Sequence, residues 1–284
     1  MEEHYFLLII AGAWLVFASV QDLKKTEVAN WVSYSLIGIA LAYKGIYAGY
    51  TGELKYLIYG GIGFALFAGL AHAFYYTKTF GGADAKLLMG MGAVIPFESW
   101  KSLAFLSIEF IFLLFFLGTI YSLIYSLVLA VRNRDKLLKE MRKKYSEYKG
   151  LIALSAAVAS VVFILLRDSA GGILSAGLVF ASALFIYLKA FEKSCLIVKR
   201  KPGELIEGDW LEKEIRIGGK TIRKSVHGLS RVDIRLLKKY RRNAVIKQGI
   251  PFVPAFLIAF MVMVFSSAFL QSLLERMFSL FLLA

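Results

Sequence analysis

Two aspartates, Asp22 and Asp84, each stand where a long apolar run meets a polar stretch. Asp22 lies in Ser19-Val20-Gln21-Asp22-Leu23-Lys24-Lys25, directly after the apolar run Tyr5–Val20. Asp84 lies in Phe80-Gly81-Gly82-Ala83-Asp84-Ala85-Lys86, at the head of a second apolar run. If the helices that carry them are neighbours, the two carboxylates meet. Two close carboxylates cannot both ionise cheaply, so one keeps its proton. The ionised one can then act as general base on a water. The protonated one can hydrogen-bond a scissile carbonyl and later help protonate the leaving amine. This is aspartyl-protease chemistry, and it needs neither metal nor cofactor. Such a pair titrates as a unit. Gly81 and Gly82 would let backbone and substrate approach closely. On the residues alone a plainer reading stays open: two solvated interfacial aspartates, with Asp84 favoured at a helix N-terminus.

The elements that must position these residues follow from composition. Of the 284 residues 58% are hydrophobic and only 19% charged, against about half and about a quarter in an average soluble domain. The excess is gathered into uncharged runs such as Tyr5–Val20 and Gly171–Leu188, which exclude an ordinary soluble globule, a disordered chain and a collagen-like one. The fold class is therefore a polytopic α-helical membrane protein of about eight spans with a small cytoplasmic α+β domain. A span takes about 20 apolar residues. The expected spans are Tyr5–Val20, Trp31–Tyr50, Tyr56–Tyr76, Asp84–Phe97, Leu103–Val131, Leu151–Leu166, Gly171–Leu188 and Ile250–Leu270. The fourth is short for a crossing, and the fifth is long and carries Glu109.

The net charge is +14, from 34 Lys and Arg against 20 Asp and Glu. With the N-terminus outside, the segments on the cytoplasmic side are 21–30, 77–86, 132–149 and 192–248, which carry 2, 2, 8 and 16 Lys or Arg, 28 of the 34. That asymmetry is the positive-inside rule. It explains the basic residues without nucleic acid. Both aspartates then lie at the cytoplasmic ends of spans. One cysteine, Cys195, excludes an internal disulfide and a CxxC pair. His4, His72 and His227 are scattered and form no metal-binding spacing. The N-terminus is acidic where a secretory signal is basic, so its apolar run is expected to be a retained first span.

The expected organisation is a catalytic membrane core over 1–131, a basic connector touching anionic lipid over 132–149, two spans over 150–191, a small cytoplasmic domain over 192–248, and a final span with its tail over 249–284. Within 192–248, Cys195–Arg200, Lys213–Ile217 and Thr221–Val226 read as strands, the last two joined by a Gly turn. Ser230 is placed to cap a helix from Arg231 to Tyr240.

The motif Gly81-Gly82-Ala83-Asp84-Ala85-Lys86 resembles the GxGD-type motif of type IV prepilin peptidases and archaeal preflagellin peptidases. Ala83 stands where bacterial enzymes usually have Gly, a variation similar to archaeal members. Asp22, followed by Lys24, Lys25 and Asn30, resembles the family's first aspartate. Gly249-Ile250-Pro251-Phe252-Val253-Pro254 is similar to a Pro-Phe element that opens a later span. The resemblance touches 19–30, 80–96 and about 200–256. It implies a membrane aspartyl endopeptidase without cofactor or metal, with Asp22 and Asp84 catalytic and Gly81, Gly82, Lys86 and Pro251 in support. It implies pilin-like or archaellin precursors as partners. Their short basic leaders would be cut at the cytoplasmic face, typically after a Gly. Glu204, Glu207 and Asp209 could meet such a leader, although solvated surface charge is the commoner role for acids. No CxxC region is present, so the expectation is peptidase activity without methyl transfer. The alternatives are an ion-coupled transporter using the same aspartates, a silent membrane anchor, and a protease cutting within spans.

Overall fold

The computed structural model describes residues 5–265. His4 and the end of the expected last span, with the tail after it, lie outside the described residues. The helices are α1 Tyr5–Lys25, α2 Asn30–Thr51, α3 Lys55–Tyr76, α4 Gly82–Val94, α5 Trp100–Arg132, α6 Arg134–Glu147, α7 Lys149–Leu166, α8 Ser169–Phe191, α9 Arg231–Lys239 and, up to the last described residue, α10 Val253–Phe265. Two units result. One joins the described residues up to Leu123 with those from Gly249, and the other is Ile124–Gln248.

Among the described residues, five helices are long and apolar enough to cross a membrane: Tyr5–Lys25, Lys55–Tyr76, Trp100–Arg132, Lys149–Leu166 and Ser169–Leu196. The chain is thus a multi-pass membrane protein, with fewer such helices than the eight spans expected. The differences have physical reasons. Helix α2 has the length, 22 residues, but carries Lys44, two serines and four tyrosines. Helix α4 has 13 residues, about 20 Å of rise, against a hydrocarbon core of about 30 Å. It ends early because Pro96 follows Ile95 and forces it into extended backbone, φ −56° and ψ 130°. The carbonyl freed there is taken by Lys44, whose Nζ donates to the Ile95 oxygen at 2.7 Å and lies 5.7 Å from the centre of the Phe97 ring. That pairing is what lets a lysine side chain sit fully inside the bundle. Glu109 of α5 is also buried, and among the described residues its carboxyl has no partner.

In the first unit, α3 packs on α4 and α4 on α2. Lipid is as apolar as the helices, so close packing rather than the hydrophobic effect holds them together. Gly63 and Gly92 allow it: a methyl group on either would run into the carbonyl oxygen of the other. Phe67, Phe97, Phe110 and Phe256 fill the centre, together with Leu36, Leu87, Leu88 and Met91.

In the second unit, α8 packs against α6 and α7. The chain then turns through Glu192–Leu196 into β1 Ile197–Arg200, followed by β2 Trp210–Leu211, β3 Ile215–Ile217, β4 Lys220–Ile222 and β5 Ala244–Lys247. The sheet order is β1-β5-β2, all antiparallel, with Ile197 and Trp210 both opposite Lys247. Strands β3 and β4 form a separate hairpin. Its turn residues Gly218 and Gly219 have φ of 54° and 79°, the left-handed pair that a tight hairpin needs. Ser230 caps α9 as its position predicts, accepting from the Asp233 N–H while Asp233 Oδ2 accepts from the Ser230 N–H at 3.0 Å. Leu205, Leu211, Leu229, Leu237 and Ile246 close the small core.

Candidate active site

Asp22 occupies the last turn of α1. Lys24 and Lys25 in the same turn suit the negative end of the helix dipole. Asp22 does not, and it points inward, with 5% of its surface exposed. An inward acid at a helix C-terminus needs donors from elsewhere. One comes from the start of α10: the Val253 N–H donates to Asp22 Oδ2 at 2.9 Å. The first N–H groups of a helix have no partner inside it, and here one turns to a side chain 231 residues away in sequence. Pro251 is buried just before this donor. Pro254 falls in the first turn, where a missing N–H costs nothing.

Asp84 is the third residue of α4, and its Oδ2 accepts from the N–H of Gly81, the residue that caps the helix, at 3.1 Å. This is the reciprocal half of a capping box. Gly81 has φ −72° and ψ 169°, which any residue can adopt. The position is short of room instead, since a Cβ there would stand 3.2 Å from Asp84 Oδ2. Gly82 is exposed, with the Tyr75 ring as the nearest neighbour to a Cβ. Asp84 itself is half-buried. Helix α1 packs on α4, and the Phe252 ring next to the Asp22 donor packs on the Phe80 ring next to Gly81. The two carboxylates thus stand on packed helices of one unit, each anchored by a backbone N–H at a helix start.

Lys86 is turned to another task. Its Nζ donates to Asn30 Oδ1 at 2.6 Å and lies 5.9 Å from the Tyr34 ring centre, tying α4 to α2. Phe80, directly before Gly81, is buried and packs at ring-centre distances of 5.7 Å on Phe252 and 5.9 Å on Phe256. Sequence reasoning passed over Phe80, and over the Val253 N–H. A peptide N–H has no residue type to read, and Phe80 is one of 23 phenylalanines.

The acids considered for a basic leader are engaged inside the second unit. Glu207 pairs with Arg231 at 2.7 Å, Glu204 accepts from the Lys201 N–H, and Asp209 accepts from the Ile206 N–H at 2.9 Å. Among the described residues no group of three His, Cys, Asp or Glu is arranged to hold a metal ion.

Residues 9–125 match the model of the type IV leader peptidase family, so the resemblance carried by the aspartate motifs holds over that segment. The chain is 34% identical over 88 residues to a preflagellin peptidase of Methanocaldococcus jannaschii, which covers 31% of this chain and 37% of that protein. It is 34% identical over 145 residues to a preflagellin peptidase of Methanococcus voltae, covering 47% of this chain and 60% of that protein. The chain thus spans between about a third and three fifths of the lengths of these relatives. No solved structure matches it.

Proposed function

We propose, on the premise that residues 9–125 are a type IV leader peptidase region, that this chain is a membrane aspartyl endopeptidase with Asp22 and Asp84 as its catalytic pair. The observation that carries the reading is that α1 packs on α4 with Asp22 in the last turn of one and Asp84 in the first turn of the other, while the Phe252 and Phe80 rings beside their backbone donors pack together. The ionised carboxylate takes a proton from a water, and the oxygen of that water attacks the scissile carbonyl carbon. The protonated partner donates to the carbonyl oxygen as the tetrahedral species forms. Collapse breaks the C–N bond, and the proton gained from water passes to the leaving amine. No cofactor enters.

The substrates on this reading are pilin-like or archaellin precursors, and the names of the two relatives support a preflagellin. Cleavage falls beside a short basic leader at the cytoplasmic face. That orientation follows from the basic segments 21–30, 77–86, 132–149 and 192–248. It makes eight crossings, counting α2, α4 and the helix that begins at Val253, and leaves 192–248 as a cytoplasmic domain. The exposure of Gly82, two residues before Asp84, supports approach of an extended peptide there.

The test is cleavage of a co-expressed leader-bearing precursor in membranes by wild type, Asp22→Ala and Asp84→Ala. Wild type shortens the precursor. Each variant loses at least about a hundredfold, the order of a missing general acid or base. Retained cleavage in both variants, or none by wild type, contradicts the reading and makes ion flux through the same aspartates the next assay.

A further inference from the structure

The segment that matches the family model ends at residue 125, yet Asp22 is held by the N–H of residue 253. We infer that the start of α10 is a third part of the catalytic centre: the Val253 peptide N–H is a positioning group for Asp22, and Phe252 sets that group against the loop that carries Asp84. The inference rests on the peptidase reading and deepens it.

The geometry forms a continuous chain of contacts from Asp22 to Asp84. Asp22 Oδ2 accepts from the Val253 N–H at 2.9 Å. The adjoining Phe252 ring packs on Phe80 at 5.7 Å. Phe80 is joined by a peptide bond to Gly81, and the Gly81 N–H donates to Asp84 Oδ2 at 3.1 Å. Each carboxylate thus takes a hydrogen bond from backbone beside a phenylalanine, and the two phenylalanines touch. Phe80 also lies 5.8 Å from Phe115 and 5.1 Å from Phe74, in a tight ring cluster. Gly118 of α5 faces the edge of the Phe252 ring so closely that it has room for no Cβ. Interiors packed this densely do not shift continuously, so α10 fixes where Asp22 can stand relative to Asp84. A backbone donor suits the task, because it is fixed by the helix and has no rotamer to lose.

The test uses substitutions that separate the N–H from the side chain. Val253 is the first residue of α10, a helix position that accepts proline. Val253→Pro removes the N–H, and Val253→Ala keeps it. With a purified precursor peptide and wild-type and variant enzyme in the same lipid, Val253→Pro lowers kcat by about a hundredfold, the scale of a misplaced reacting group, with KM unchanged. Val253→Ala stays within a few-fold of wild type. Incorporating α-hydroxyisovaleric acid at 253 exchanges the N–H for an ester oxygen and keeps the side chain, so it serves if the proline variant fails to fold. It gives the same loss of kcat. Unchanged kcat in the ester variant, or an equal loss in Val253→Ala, overturns the inference while the peptidase reading stands. No cleavage by wild type overturns both.

Discussion

Asp22 and Asp84 have the same chemistry and opposite helical settings. Asp22 ends a helix, where the dipole disfavours it, and is held by an N–H at the start of another helix. Asp84 begins a helix, where the dipole favours it, and is held by its own cap. Both were legible in the sequence, because each breaks the edge of an apolar run and one sits in a glycine motif. Their donors were not, since a peptide N–H looks the same at every position. Asp209 offers a contrast away from the membrane helices. Its carboxyl is pushed up from the ordinary value by burial, against the Ile206 N–H and Arg200, which act the other way. An acid that holds its proton more tightly folded than unfolded adds stability at low pH, and that stability is lost as pH rises above the ordinary carboxylate value. Asp209→Asn removes the loss and keeps an acceptor for the Ile206 N–H. In the full-length protein, hydrogen exchange of β2 and β5 amides is therefore slower in the variant than in wild type at pH 7, and the difference shrinks toward pH 4. Equal exchange at pH 7 contradicts this account.

At the scale of elements, the long apolar helices, the basic helix α6 and the Ser230 cap were legible from run length, charge and capping residues. The end of α4 was not: the run Asp84–Phe97 is continuous in hydrophobicity, and only the effect of Pro96 on Ile95 stops the helix at Val94. Strand β5 was missed because Ala244–Lys247 is four residues among charges and gains its order from pairing with β1 and β2. The fit of α5 against α10 was equally invisible, since nothing marks Gly118 as the seat of the Phe252 ring. In an isolated helix Gly to Ala gains up to about 1 kcal/mol. Gly118→Ala here drives a methyl into Phe252, so cleavage in membranes drops by about tenfold, in line with a small displacement of the reacting groups. Wild-type cleavage by Gly118→Ala contradicts the proposed coupling of α10 to the dyad.

For the whole molecule, the charge pattern argues an orientation, and the single cysteine tests it. Cys195 is half-buried at the turn after α8, on the side proposed to be cytoplasmic. A membrane-impermeant maleimide labels it in inverted vesicles and leaves it unlabelled in intact cells, with a permeant maleimide as the control in both. Labelling in intact cells by the impermeant reagent reverses the orientation and moves the site to the other face. The two-unit arrangement has a further consequence. The chain leaves the first unit after Leu123 and returns at Gly249, so the residue that holds Asp22 arrives only once the whole second unit has been made.

The central claim is that the two aspartates act as one centre. The most direct measurement is the rate of precursor cleavage by Asp22→Asn, Asp84→Asn and the double variant, each verified as folded and membrane-inserted. Residues that work as a unit give strongly non-additive losses. The expected result is a loss of at least about a hundredfold in each single variant and no further loss in the double. Near-wild-type cleavage in either single variant, or losses that multiply in the double, contradicts the dyad.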